Sequence, residues 1–182
     1  ERKKKSQNRI PRNEALPIAK KIVARLKNLK EVQKVNYMGS LRRKKSTIGD
    51  IDILVSSTNP KSVMNFFTNM PEAVRTLVKG DTKSSILFDG FLQIDLRVVP
   101  PESYGAAAQY FTGSIEHNVM LRKIAIKQGY KLSEWGIFNR KTNEQITTKT
   151  EKSVYNLLGF KLIPPEKRIG GKEFVTYSLK KN

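Results

Sequence analysis

Two acidic residues stand two positions apart in an otherwise apolar stretch. Asp50 and Asp52 flank Ile51, and residues 51–55 are rich in β-branched side chains, which predicts a strand. Residues i and i+2 of a strand face the same side, so the two carboxylates would repel each other. A divalent cation relieves that repulsion, and Mg²⁺ prefers carboxylate oxygens. The pair indicates a metal site; outward-facing acids on a half-exposed strand are the alternative.

A third acidic residue, Asp95, lies within the predicted strand 91–99, where it faces away from Ile94 and Leu96. If this strand neighbours the strand of the acidic pair, three carboxylates converge on one point. Such a cluster holds two metal ions about 3.5–4 Å apart, which clamp both oxygens of an in-line phosphoryl displacement. The alternative for Asp95 is a salt bridge, with Arg97 as the nearest candidate partner.

A glycine–serine pair precedes these acids and follows a short predicted strand. Gly39 lets the backbone approach a ligand closely, and the helical turn that it opens offers free N–H groups to an anion. Ser40 and Arg43 would add hydrogen bonds to phosphate oxygens, and Gly49 would give a second close approach. An ordinary turn followed by a solvated basic loop is the alternative. Residues 39–43 would thus form a phosphate cradle. The order of this cradle, the acidic pair and the later carboxylate is typical of a nucleotidyltransferase site.

The composition narrows the partners of such a site. The 182 residues include 35 Lys and Arg against 16 Asp and Glu, which gives a net charge of +19. A chain this basic favours nucleic acid, because Lys and Arg clusters bind phosphate backbones regardless of sequence. The absence of Cys excludes disulfides, thiol nucleophiles and Cys-ligated metals. No apolar run approaches the ~18 residues of a membrane span, so we expect no membrane partner.

The elements that must position these residues fall into two groups. A helical period over 14–30, with Asn13 as its N-cap, begins an α/β unit that extends to about residue 100. Asp89 and Gly90 form a hairpin signal between strands 85–88 and 91–99. Beyond Pro100 the pattern turns helical. The other predicted elements are a strand over 35–38, helices over 61–70, 104–111, 114–127 and 150–158, and a small hairpin within 130–138.

Four motifs together resemble the family X DNA polymerases over about residues 9–168. They are Gly39-Ser40-Leu41-Arg42-Arg43, Gly49-Asp50-Ile51-Asp52, Gln93-Ile94-Asp95-Leu96-Arg97 and Tyr110-Phe111-Thr112-Gly113-Ser114. The residues after the last motif are more similar to the bacterial, archaeal and viral branch than to the mammalian enzymes. The resemblance implies an α/β (α+β) fold, in which a nucleotidyltransferase palm with a mixed β-sheet flanked by helices precedes a small, mainly helical thumb or fingers subdomain with a short hairpin. We expect a basic flexible lead-in over 1–12, the palm over 13–101, the nucleotide-selecting subdomain over 102–168 and a basic tail over 169–182.

The resemblance also implies an activity: template-directed addition of a deoxynucleotide to a primer 3′-OH in short-gap DNA repair. Asp50 and Asp52 would bind two Mg²⁺ ions, with Mn²⁺ as the alternative, and Asp95 would bind the catalytic ion nearest the primer end. The residues that would hold the β- and γ-phosphates are Arg9, Gly39, Ser40, Arg43 and Gly49. The expected partners are primer–template or gapped DNA and a dNTP, bound by a monomer in an intracellular, reducing compartment such as a bacterial or viral cytoplasm.

The second half of the site is expected on the helix over 114–127. Ser114, Asn118 and Arg122 are spaced by four residues, so one helix face would carry all three. Asn118 would reach a minor-groove acceptor of the new base pair, and Arg122 the template strand. Tyr110 and Phe111 would pack under the sugar next to Gly113, or else belong to the core. Arg97 is predicted to bind DNA, and His117 to be a packing or helix-surface residue.

The sequence departs from the family in one motif, and it leaves two other functions open. Gln93 stands where many mammalian members carry Arg, which bears on how the third carboxylate is tuned. About a dozen residues precede the match, so we expect either a longer parent protein or a minimal polymerase. The open alternatives are a template-independent nucleotidyltransferase and a non-catalytic basic DNA-binding module.

Overall fold

The computed structural model describes residues 9–146 and 148–180. Its first part alternates strands and helices: β1 (Ile10–Pro11), α1 (Arg12–Lys27), β2 (Lys34–Tyr37), α2 (Gly39–Arg42), β3 (Thr47–Ile48), β4 (Ile51–Ser56), α3 (Pro60–Thr68), β5 (Ala73–Lys79), β6 (Lys83–Phe88) and β7 (Leu92–Val99). Its second part is mainly helical: α4 (Tyr104–Thr112), α5 (Ile115–Lys127), β8 (Tyr130–Ser133), β9 (Gly136–Asn139), β10 (Gln145–Ile146), α6 (Glu151–Leu157) and α7 (Glu173–Thr176). Short 3₁₀ turns occur at Pro101–Ser103 and Pro165–Lys167.

The first part is built on a mixed sheet with the strand order β2-β4-β7-β6-β5. Strands β4 and β7 run parallel, and the other pairs are antiparallel. One face is apolar and packs against α1 and α3, with Ile51, Ile53, Ile94 and Leu96 among its buried side chains. Because side chains alternate along a strand, Asp52 and Asp95 lie on the opposite face. The predicted α/β class with a mixed, helix-flanked sheet is confirmed.

The hairpin predicted at Asp89-Gly90 is present, and both residues have positive φ (+49° and +81°), as a type I′ turn requires. The start of α1 differs from the prediction. Pro11 is its N-cap, without a side-chain hydrogen bond, and Asn13 lies inside the first turn. Ile10 is buried and pairs with Ile48, so the β1–β3 ladder holds the chain extended up to Pro11 and the helix begins there.

Several elements carried no clear signal in the sequence. The edge strand β5 is exposed along most of its length and shows two register shifts against β6, so neither of its faces is consistently apolar. Residues 10–12, counted with the flexible lead-in, instead form β1 and the start of α1. Residues 1–8 of that lead-in and residues 181–182 of the tail lie outside the described part of the chain.

The second part has its own core, formed by α4, α5, α6 and the hairpin β8–β9. Ser114 caps α5 by accepting a hydrogen bond from the His117 N–H at 3.2 Å. The segment predicted as a basic tail contributes Phe174 and Tyr177 to this core, so 169–180 packs against the helical part. Among the described residues, no helix is both long and apolar enough to cross a membrane.

The two parts are joined by packing and by buried charges. Ala107 and Ala108 of α4 pack against Leu54 and Val99 on the sheet face opposite α1. Next to them, Glu151 accepts hydrogen bonds from Arg42 of α2 at 2.9 and 3.0 Å and from Arg168 at 2.9 Å. Burial alone would raise the pKa of Glu151, but the hydrogen bonds from Arg168 and Arg42 hold that pKa below its usual value.

Candidate active site

The acidic residues lie on the face of the sheet that α1 and α3 leave open. Asp52 of β4 and Asp95 of β7 are direct partners in the parallel ladder, so the predicted neighbourhood of their two strands is confirmed. Asp50 lies in the bend immediately before β4. It therefore precedes the strand by one residue in the structure, as it did in the predicted strand 51–55. Backbone hydrogen bonds of the ladder therefore hold two carboxylates side by side.

The pKa of Asp52 is affected by the charges of the other two acids. The pKa of Asp52 is raised to about 7, chiefly by burial and further by the negative charges of Asp95 and Asp50. Lys83 and Arg43 act in the opposite direction without cancelling it. A buried carboxylate beside two others is a place where a cation would lower the electrostatic free energy.

The predicted convergence of the carboxylates on a single point is only partly observed. Within the described residues, no three His, Asp or Glu side chains form a ready-made metal-binding group. One oxygen of Asp95 is engaged within the protein, because its Oδ1 accepts hydrogen bonds from Ser85 Oγ at 2.6 Å and from Gln93 Nε2 at 3.0 Å. Gln93, the departure from the mammalian motif, thus supplies a neutral donor to the third carboxylate.

The donor set nevertheless fits divalent cations. The carboxylate oxygens of Asp52 and Asp95 are hard ligands on adjacent strands. Gly39 begins α2 with a φ of +61°, and any Cβ there would collide with Asp52 Oδ2. The glycine therefore allows the backbone of the predicted phosphate cradle to lie directly against this carboxylate.

A cavity of about 760 Å³ opens beside Asp52 and receives residues from both parts of the molecule. All the residues predicted to bind the nucleotide line it, namely Arg9, Gly39, Ser40, Arg43, Gly49, Tyr110, Phe111, Gly113 and Asn118, together with Asp50 and Asp52. Lys45, Ser46, Thr47 and Ile115 also line it and were missed. The basic run 42–45 signalled a cationic loop, but nothing in the sequence marked Ile115.

Arg43 reaches across from the first part to the second. Its Nη1 donates to the Thr112 carbonyl at 2.6 Å, and a Cβ on Gly113 would lie only 3.0 Å from that nitrogen. Burial lowers the pKa of Arg43, although Asp52 and Glu116 oppose that effect. Its buried Nε has no hydrogen-bond partner among the described residues. An anionic oxygen would satisfy this donor.

Arg9 lines the cavity beside β3, and hydrogen bonds to Thr47 of that strand position it. Its guanidinium donates from Nε to Thr47 Oγ1 at 2.9 Å and from Nη2 to the Thr47 carbonyl at 2.7 Å. These bonds direct a second cation toward Gly49. The guanidinium groups of Arg9 and Arg43 therefore both lie at the border of the cavity, as expected for a triphosphate site.

The wall formed by α4 and α5 is aromatic and polar. The rings of Tyr110 and Phe111 meet edge to face with centroids 5.0 Å apart, and both side chains are half-buried. The Arg122 guanidinium lies 6.0 Å from the centre of the Tyr110 ring. Asn118 and Arg122 line the cavity as predicted, but Ser114 does not share that wall, because its hydroxyl caps α5.

A smaller cavity of about 80 Å³ lies on the other side of Asp52. Asp95, Lys83 and Arg97 line it, and the Arg97 guanidinium lies 5.0 Å from the centre of the Phe111 ring. Asp52 borders both cavities. Asp52 therefore stands between the large cavity and the small one, with Asp50 on the side of the large cavity and Asp95 on the side of the small one.

His117 lies in the core of the helical part and does not line the large cavity. Its Nδ1 lies 2.9 Å from Glu173 Oε1 and its Nε2 lies 2.8 Å from the Tyr155 hydroxyl. The ring stacks on Phe174 at 4.8 Å, and burial lowers the pKa of the imidazole. These contacts agree with the interpretation of His117 as a packing residue.

A carboxylate pair beside a cationic cavity, on a mixed sheet followed by a helical unit, is the arrangement of a nucleotidyltransferase palm and thumb. Comparison with known families agrees: residues 9–128 match the DNA polymerase beta palm and residues 107–169 match the DNA polymerase beta thumb. The chain belongs to the polymerase beta family, which is family X of the DNA polymerases.

Two curated relatives illustrate this relationship. The chain is 35% identical over 176 residues to the DNA polymerase/3′-5′ exonuclease PolX of Bacillus subtilis, which covers 96% of this chain but 31% of that protein. It is 28% identical over 138 residues to the Repair DNA polymerase X of African swine fever virus, which covers 72% of this chain and 79% of the viral protein. The chain thus spans about a third of the length of the bacterial relative.

Proposed function

We propose that this chain is a DNA-directed DNA polymerase that adds dNMP to a primer 3′-OH and releases pyrophosphate during short-gap repair. One observation carries the proposal: Asp52 and Asp95 are ladder partners, and Asp52 borders a cavity whose other walls are cationic and aromatic. A phosphoryl transfer needs acidic metal ligands next to a place that holds a triphosphate.

Asp50, Asp52 and Asp95 would hold two Mg²⁺ ions, which supply Lewis-acid stabilisation of the transferring phosphoryl group when bound. The chain's own residues position the reactants. Asp95 shares the small cavity with Lys83 and Arg97, two cations suited to the phosphates of a primer strand. We therefore assign the primer end to the Asp95 side of the site.

The large cavity would take the incoming nucleotide. The unpartnered Nε of Arg43, the guanidinium of Arg9 and the hydroxyl of Ser40 would bind the triphosphate. Tyr110 and Phe111 would pack under the sugar, where their bulk excludes a 2′-hydroxyl. On α5, Asn118 would face the minor-groove edge of the new base pair and Arg122 the template strand.

The partners would be gapped or primed DNA and a dNTP, bound by a monomer inside the cell, where damaged DNA is found. The viral relative is named a repair polymerase and the bacterial one a polymerase. The net charge of +19 would support DNA binding. A template-independent transferase is the second candidate, because it would use the same acids and the same triphosphate-binding residues.

Insertion opposite a one-nucleotide gap, with each dNTP supplied alone and Mg²⁺ present, tests the proposal. We expect addition of the complementary nucleotide only, and no addition to the same primer without a template. Addition of all four nucleotides regardless of template would support the template-independent transferase. DNA binding without any addition would favour the non-catalytic binding module.

A further inference from the structure

A buried amide that the sequence analysis did not single out lies behind the nucleotide cavity. Gln109 of α4 is only 2% exposed. Amide groups in the interior must satisfy their hydrogen-bonding atoms, and Gln109 Nε2 does so by donating to Asn118 Oδ1 at 2.7 Å. Gln109 itself does not line the cavity, whereas Asn118 does.

A second hydrogen bond fixes which way the Asn118 amide faces. Asn118 Nδ2 donates to the main-chain carbonyl of Tyr110 at 2.8 Å. A carbonyl oxygen only accepts hydrogen bonds, so the nitrogen of Asn118 must face Tyr110. The oxygen must then face Gln109, which meets it with a donor. A flipped Asn118 would place oxygen against oxygen and nitrogen against nitrogen, and it would lose both bonds.

The locked orientation leaves one donor for a ligand. The Asn118 nitrogen carries two hydrogens, and the Tyr110 carbonyl takes one of them. Asn118 keeps 8% of its surface exposed, at the cavity wall. The acceptor of Asn118 is turned away from the cavity and is occupied by Gln109, so what the residue can present to a bound nucleotide is an N–H group.

We propose that Gln109 is a positioning residue that makes Asn118 a hydrogen-bond donor toward the minor-groove edge of the incoming nucleotide. Purine N3 and pyrimidine O2 are acceptors on every correct base pair, so a fixed donor suits all four nucleotides and a flipped amide suits none. The inference rests on the proposed polymerase function, and Gln109 acts on the nucleotide only through Asn118.

The test compares Gln109→Met, which keeps the shape and removes the donor, with Gln128→Met as a matched control. Like Gln109, Gln128 donates a hydrogen bond from its Nε2, in this case to the main-chain carbonyl of Leu158 at 2.9 Å. Gln128 lies outside the large cavity. Single-nucleotide insertion is measured with dATP and with 3-deaza-dATP, which lacks the N3 acceptor. Each variant is also combined with Asn118→Ala.

We expect Gln109→Met to raise KM for dATP about five- to tenfold, the usual effect of one lost hydrogen bond, and to reduce the wild-type preference for dATP over 3-deaza-dATP. In the Asn118→Ala background the same change should have little further effect. Gln128→Met should keep the wild-type preference. If Gln109→Met does not fold by circular dichroism, Gln109→Leu, which likewise has no donor, repeats the test.

Two results overturn the inference. One is an unchanged preference for dATP in the folded Gln109 variant, and the other is a loss that persists in full without Asn118, which would mean that Gln109 acts through packing. A wild-type protein that inserts no nucleotide at all would instead overturn the proposed function, and with it the inference. Normal wild-type insertion therefore separates the two failures.

Discussion

The two halves of the candidate site are held in place by different means. On the sheet, Asp52 and Asp95 are positioned by the backbone ladder between β4 and β7. On the helical side, Asn118 is positioned by a side chain, Gln109, and by one carbonyl. A backbone ladder is indifferent to side-chain identity, whereas a side-chain network depends on each member. The sheet half can therefore hold side chains that repel one another. The helical half cannot, because its side chains hold each other in place by hydrogen bonds.

The distribution of charge follows the same division. The sheet half concentrates like charges, which add to the rise that burial causes in the pKa of Asp52. Where the helical half meets the sheet, opposite charges are matched in the Arg42–Glu151–Arg168 group. The comparison indicates that removing one acid from the sheet half should damage chemistry and spare the fold, while removing one acid from the junction should damage the fold.

The largest effect is expected from Asp95→Ala. If Asp95 binds the catalytic ion as proposed, its loss removes several kcal/mol of transition-state stabilisation, so nucleotide insertion should fall by roughly 10³-fold or more. DNA binding should be retained or strengthened, because a negative charge near phosphate is gone. Asp81→Ala, an exposed acid of the same unit, is the control. Insertion at the wild-type rate by Asp95→Ala would remove Asp95 from the mechanism.

The next largest effect is expected from Glu151→Gln at the junction. It would leave the fully buried Arg168 and the half-buried Arg42 without their anion, a loss of about 3–5 kcal/mol. Thermal unfolding should therefore occur on the order of 10 °C lower. The control is Glu166→Gln, which breaks the exposed Lys44–Glu166 pair between the same two parts. Equal effects of the two changes would contradict the distinction between buried and exposed pairs.

A smaller effect concerns pH and metal in the sheet half. The pKa of Asp52 is raised from 3.8 to about 7 in the folded protein. The folded state therefore binds a proton that the unfolded state releases, and stability decreases as pH rises from about 4 to 7. In EDTA, the melting temperature of the wild type should fall across this range more than that of Asp52→Asn. Mg²⁺ should restore it at pH 8, and an equal Mg²⁺ effect in Asp52→Asn would contradict this assignment.

The smallest effect concerns the DNA contacts expected of Arg97 in the sheet half and of Arg122 in the helical half. Affinity for gapped DNA should fall steeply with salt, because the chain carries a charge of +19. Arg97→Ala should lower the slope of log affinity against log salt by about one, as the loss of a phosphate contact does. Arg122→Ala should weaken binding with little change in slope, because its expected contact is a base edge. The reverse pattern would exchange the two assignments.

Much of the sheet half was predictable from local pattern. The alternation of Asp95 with Ile94 and Leu96 predicted which face it occupies, and Asp89-Gly90 predicted the hairpin that brings β6 beside β7. The cavity likewise contains the predicted cradle residues. The roles of these residues in catalysis and binding stay predictions. Local spacing sufficed here because a strand's period and a turn's φ values depend on residues close in sequence.

The errors and omissions have a common cause. Asn13 is not a cap because β1 pairs with β3, far along the chain. Residues 169–180 pack because Phe174 and Tyr177 find an apolar surface made by α5 and α6. The hydrogen bond from Ser85 to Asp95 was not expected, because it joins two strands that face each other only in the folded sheet. Each depends on a contact that the local sequence does not encode.

The amino-acid order alone determined the periods of the elements, the excess of positive charge and the presence of acids, cradle and aromatic motif in one chain. Tertiary structure decided the rest: that Arg43 donates to Thr112 of the helical part, and that Gln109 fixes the amide of Asn118. The physical reason is the separation along the chain of the residues that decide each feature. Periodicity reports the neighbours of a residue along the chain, whereas the direction of a hydrogen bond is set by whichever group folding brings opposite it.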